Sequence, residues 1–132
     1  KIYTGGAPLL NATPNKNLTA FNWNVPNDLK TFYTIHNGFG EIYDANFVMP
    51  NEDIRVMAEM MNPICEAQNV KPEGYSFDDL LEFFPDGARN AQCFYKNTGN
   101  STVDWDHEIW EISGETAFFD FINERMSEID EE

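Results

Sequence analysis

Asp104-Trp105-Asp106-His107-Glu108 places two aspartates, a histidine and a glutamate within five residues, side-chain types that ligate metals and exchange protons. A metal-dependent hydrolase using Asp104, Asp106, His107 and Glu108 is the activity such a run would serve. The backbone expected there works against it. A strand over 102–105 points Asp104 and Trp105 to opposite faces, and the following turn spreads Asp106, His107 and Glu108 around a bend. His36 is the only other histidine, so a second ligand pair at zinc spacing is missing. His36 falls near a predicted helix end, where it meets the negative pole of the helix or packs on Phe32 and Tyr33. Cys65 and Cys93 sit in no CxxC or Cys/His spacing and read as buried free thiols of a reducing compartment. Gly5-Gly6-Ala7 and Gly38-Phe39-Gly40 lack the pattern of a phosphate-binding loop, and no serine, cysteine or lysine occupies a nucleophile motif. The residues thus predict no catalytic group, no metal site and no cofactor.

The acids carry more information. The 132 residues hold 23 acidic against 8 basic side chains, a net charge of −15. Such a surface repels phosphate backbones and anionic membranes, which argues against direct nucleic-acid or membrane binding and for a basic protein partner. No apolar run approaches the roughly 18 residues of a membrane span. The N-terminal KIYTGGAPLLNATPNKN lacks the apolar stretch of a secretory signal, so a cytoplasmic location is expected and the sequons at Asn11, Asn17 and Asn100 carry no meaning there. One acidic group is Asp78, Asp79, Glu82 and Asp86, another Asp104, Asp106 and Glu108. On neighbouring strands the two would converge on one edge or rim, attract a basic partner and speed association by about 10- to 10³-fold at low salt. Phe39, Tyr95 and Trp110 are the aromatics placed to anchor that contact. The alternative is an acidic surface spread evenly, which confers only solubility.

The elements that must position these groups follow from periodicity. The chain is 42% hydrophobic and contains 11 Phe, enough for one core and one domain over 1–132, with 1–24 an irregular lead-in and the core over 25–128. A short helix is expected near Leu18–Phe21. Pro26 and Asp28 open a helix in which Leu29, Phe32, Tyr33 and His36 share a face, closed by Asn37-Gly38. A strand is predicted over 42–48, bounded by Pro50. Asn51-Glu52-Asp53 reads as a helix start, with Ile54, Met57, Ala58 and Met61 on one face and Pro63 as its end or kink. The cluster Met57, Met60 and Met61 is either core or an adaptable binding groove. Leu80–Phe84, Ala91–Lys96, Thr102–Trp105 and Ile109–Ile112 read as an antiparallel meander, and Thr116 caps a last helix with Phe118, Phe121, Ile122 and Arg125 on one face. The order implies an α+β fold, a central, largely antiparallel sheet of five or six strands flanked by helices, with the C-terminal helix packed on the sheet.

Three segments, in this order, resemble the SUKH superfamily, which includes the yeast cell-wall glucan-synthesis regulators and bacterial toxin-immunity proteins. They are Val25-Pro26-Asn27-Asp28-Leu29 running to His36-Asn37-Gly38-Phe39-Gly40; Leu80 to Gly87 with Asn90, Cys93 and Phe94; and Val103 to Glu108 with the final helix at Phe118, Phe119, Asp120, Phe121 and Ile122. The leading helix usual in that family is short and irregular here. The resemblance implies one α+β domain that binds proteins rather than transforming substrates, most directly an immunity protein neutralising a toxin domain such as a nuclease. The second role it implies is a regulatory scaffold of the glucan-synthesis type.

Overall fold

Five antiparallel strands, Arg55–Val56 (β4), Leu80–Pro85 (β5), Ala91–Tyr95 (β6), Ser101–Asp106 (β7) and Glu111–Ala117 (β8), form the central sheet in that spatial order, and the aromatic residues fill its two faces. The computed structural model describes residues 3–5, 16–41, 47–85, 90–98 and 101–130. Among these, the elements in chain order are β1 (Tyr3–Gly5), α1 (Lys16–Ala20), α2 (Asn27–Tyr33), β2 (Phe39–Glu41), β3 (Phe47–Val48), β4 (Arg55–Val56), α3 (Met57–Gln68), β5 (Leu80–Pro85), β6 (Ala91–Tyr95), β7 (Ser101–Asp106), β8 (Glu111–Ala117) and α4 (Phe118–Asp130). Short 3₁₀ turns at Phe77–Asp79 and Lys96–Thr98 precede β5 and follow β6. The class is α+β, as the order of periodic segments implies. A second, three-stranded antiparallel sheet joins β1, β2 and β3. No helix among the described residues is long and apolar enough to cross a membrane.

One face of the sheet is an aromatic cluster. Phe83 and Phe94 lie 4.8 Å apart between ring centroids, and Phe118 of α4 stacks on Phe94 at 5.3 Å and 21°. Phe32 of α2 meets the edge of Phe118, and Phe121 meets the edges of Phe83 and Phe84. The Arg125 guanidinium lies over the Phe84 and Phe121 rings at 5.5 and 5.1 Å, covering the cluster with a cation instead of leaving it to water. Leu18 and Trp23 also belong to the core, so the lead-in contributes packing; Trp23 is fixed by its indole N–H donating to the Asp78 carbonyl at 2.7 Å.

Several predicted boundaries move. Helix α2 stops at Tyr33, with Thr34 donating its hydroxyl to the Thr31 carbonyl at 2.6 Å, and His36 lies beyond it, packed on Phe39 at 5.7 Å. Asn37 is a tie instead of a helix stop: its Oδ1 accepts the Asn51 N–H at 2.7 Å and its Nδ2 donates to Glu52 at 3.0 Å. Gly38 adopts φ +97°, and a Cβ there would lie 3.1 Å from the Val48 carbonyl oxygen, so the turn accepts only glycine. Of the strand expected over 42–48, residues 47–48 are described and form β3, which pairs with β2 at Phe39↔Val48; 42–46 lie outside the described residues.

Residues 51–53 form a turn and not the start of α3. Arg55 and Val56 are taken by pairing with Glu82 and Leu81 of β5, and the helix begins at Met57. It runs through Pro63 to Gln68, because Pro63 and Glu59, whose carbonyl loses its partner, both lie on the exposed face. Asn69 closes it at φ 52°, with the Val70 N–H reaching the Cys65 carbonyl at 3.0 Å. The last strand covers Glu111–Ala117 instead of 109–112, and Thr116 is a strand residue opposite Thr102, whose hydroxyl donates to its carbonyl at 2.8 Å.

Candidate functional site

The opposite face of the sheet, under α3, is incompletely filled. Met57 and Met61 are buried against it, but Met60 and Ile64 on the same helical face remain 38% and 37% exposed. Between them and the sheet lies an open cleft of about 620 Å³ whose walls include Glu82, Ala91, Trp105, His107 and Trp110. This volume falls in the range of ligand and side-chain pockets. All three methionines border the cleft, Met57 and Met61 as buried core side chains and Met60 as the exposed one.

Strand register places the polar groups. Glu82 sits in β5 opposite Cys93 and beside Arg55 of β4, and its side chain is only 7% exposed. Arg55 Nε donates to Glu82 Oε2 at 2.9 Å, a cross-strand pair that neutralises the carboxylate where the sheet is otherwise apolar. At the other end of the cleft, the Asn90 side-chain oxygen receives the His107 backbone N–H at 3.0 Å and contacts His107 Nδ1 at 2.7 Å. An amide oxygen only accepts, so His107 Nδ1 is the donor in this contact.

The aromatic wall is held by a relay. The Trp105 indole N–H donates to Tyr75 Oη at 2.9 Å, and Tyr75 donates to the Trp110 carbonyl at 2.9 Å. Burial pushes the Tyr75 hydroxyl above the ordinary tyrosine range, against the opposing effect of the Trp105 donor, so it stays protonated and able to donate. Phe77 meets Trp105 and Trp110 edge-on, both at 5.7 Å. Trp110 ends the four-residue turn of 107–110 at φ +53°, a left-handed position that usually takes Gly or Asn. A bulky residue there is a strain held by the Tyr75 hydrogen bond and the Phe77 contact. Replacing Trp110 inverts the usual order of small residues: Trp110→Gly should be more stable than Trp110→Ala by about 1 kcal/mol, because glycine relieves the left-handed backbone. Urea unfolding of the two variants measures this, and an alanine variant equal to or above glycine would contradict it.

The predicted acids do not meet as one patch. Strand β6 separates β5 from β7, so Asp78 and Asp79 lie at the Leu80 end of the sheet while Asp106 and Glu108 lie past the opposite end, beyond the Ala91↔Trp105 pair. Glu82 is buried in its ion pair, Asp104 is exposed opposite Gln92, and Asp86 lies outside the described residues. Asp78 Oδ1 accepts from Asn62 at 3.1 Å, and Asp106 Oδ1 accepts the Glu108 N–H at 2.8 Å. Among the described residues no three His, Cys, Asp or Glu side chains converge as metal ligands, and Asp104, Asp106, His107 and Glu108 are spread as the strand and turn require. Of the three aromatics, Trp110 lines the cleft, while Phe39 and Tyr95 are half-buried against the core.

Cys93 is fully buried with its thiol pushed well up, first by desolvation and then by Glu82 and Asp104, so it is packing and not a nucleophile. Cys65 is only half-buried, and both thiols are free. Sequence reasoning passed over Arg55 and Ile64, and named Asn90 only within the resemblance; the one signal for Arg55 is a lone cation preceding an apolar helix face, which register alone gives a partner.

No family model matches the chain, and neither a curated protein nor a solved structure is detectably similar to it.

Proposed function

We propose that this protein is a non-enzymatic, cytoplasmic binding domain of the SUKH type, an immunity protein that neutralises a basic toxin domain, such as a nuclease, by forming a stoichiometric complex. The observation that carries the reading is the charge of −15, and in particular its distribution. From Asn97 to Glu124 the chain contains seven acidic residues and no lysine or arginine. A domain that grips phosphates is basic, and this stretch is its electrostatic complement. The groups suited to chemistry are occupied structurally: Glu82 by Arg55, His107 Nδ1 by Asn90, and Cys93 by burial.

Co-expression with a candidate toxin domain from a neighbouring gene tests the reading. Protection and a one-to-one complex are expected, the complex weakening as salt rises from about 0.1 M, where the Debye length is near 10 Å, toward 1 M, where it is about 3 Å. Absence of both protection and complex would overturn the immunity reading, and a salt-insensitive set of several partners would favour the regulatory scaffold.

A further inference from the structure

The α3–sheet cleft combines two properties that are seldom found together by accident. Its interior is electrically neutral, because Glu82 is matched by Arg55, and it is walled by Met57, Met60, Met61, Ile64, Trp105 and Trp110. Its lip is the turn after Trp105, from which His107 and Trp110 reach the cleft and on which Glu108 and Ile109 are exposed, Ile109 by 61%; Asp106 and Glu111 pair with each other on the sheet face opposite Trp105 and Ile112. A neutral apolar interior favours large uncharged side chains, and an acidic lip favours cations just outside them. Methionines adapt to more than one shape, and tryptophan is among the side chains enriched at interface hot spots. Trp110 holds its place in the wall at the cost of a left-handed backbone, which the fold sustains through Tyr75.

We infer that this cleft is the docking groove of the protein, and that its occupant is a basic amphipathic segment of the partner, with one or two large apolar side chains lodged between α3 and Trp110 and flanking lysines or arginines drawn to Glu108 on the lip and to the acidic stretch that contains it. The inference rests on the reading of the protein as a binder of a basic partner and adds the site and the chemistry of the segment.

A peptide tests the groove without the partner. The probe is a 14-residue amphipathic leucine/lysine helix, titrated calorimetrically into the full chain alongside a leucine/glutamate counterpart. The leucine/lysine peptide is expected to bind and the acidic one not to. The deciding variant is Ile64→Glu. Ile64 is 37% exposed, so the fold should persist, which its unfolding midpoint checks. Non-specific attraction to an acidic protein would make the added carboxylate tighten binding, whereas occupation of the cleft makes it weaken binding at least tenfold. Met60→Glu, on the same wall, should behave alike. No binding of the leucine/lysine peptide, or binding that Ile64→Glu leaves unchanged or tightens, would overturn the groove. If the toxin domain binds wild type and Ile64→Glu equally, the groove fails while the partner reading stands. If the peptide binds as described but no basic partner is neutralised, the partner reading fails while the groove stands.

Discussion

Phe118→Ala should be the most damaging truncation of the core, costing about 3–5 kcal/mol of stability. Phe118 is fully buried and touches the Phe32, Phe83 and Phe94 rings at 6.0, 5.3 and 5.3 Å, so it joins α2, the sheet and α4 through one side chain. The cavity left by its removal is walled by other aromatic rings, which are rigid and cannot collapse into it. Domains of this kind are stable by only about 5–15 kcal/mol, so the variant should fall close to the folding threshold. Urea unfolding should show a lower midpoint with an unchanged slope. Phe119, the next residue, is 40% exposed and provides the control. Phe119→Ala should cost less than about 1 kcal/mol, as for surface positions generally. Equal losses at the two positions would mean that α4 does not pack as described.

The second large effect concerns the ion pair at the cleft. Arg55→Met removes the guanidinium paired with a carboxylate that is 7% exposed and leaves Glu82 beside Cys93 in an apolar setting. Breaking a fully buried pair costs about 3–5 kcal/mol; the Arg55 side chain is 41% exposed, so water compensates in part and about 2 kcal/mol is expected. Combining it with Glu82→Leu should recover most of that loss, since the uncompensated charge is then gone. A double-mutant cycle on unfolding free energies gives the coupling directly. Additive single losses with no recovery would show that Glu82 does not depend on Arg55.

Much of the fold was legible from apolar periodicity. Leu80–Phe84 and the Phe118, Phe121 and Ile122 face are spaced so regularly that β5 and α4 follow from them, and the meander follows from the turns between short strands. Local signals failed where tertiary pairing decided the outcome. Asn51-Glu52-Asp53 resembles a helix start, but β5 needs a partner at Leu81 and Glu82 and takes Arg55 and Val56 for it. Thr116 resembles a cap, but Thr102 claims it across the ladder.

The cleft was only partly legible. The methionine spacing leaves core and groove both open, and Trp110 stands out as an aromatic among acids, but Glu82 within Leu-Leu-Glu-Phe-Phe gives no sign that its partner lies 27 residues earlier. The separation of the two acidic groups was readable, because the segment Ala91–Lys96 falls between them in chain order and a meander must place it between them in space. The left-handed Trp110 leaves no trace in sequence, since that conformation is normally signalled by glycine or asparagine.

The most direct test of the account is the indole N–H spectrum of ¹⁵N-labelled protein during titration with the leucine/lysine peptide. Trp105 and Trp110 line the cleft, whereas Trp23 lies outside its walls with its N–H held by the Asp78 carbonyl. Shifts of the Trp105 and Trp110 signals that saturate together, with Trp23 unmoved, are the predicted result. Uniform small shifts of all three, or a response confined to Trp23, would contradict it.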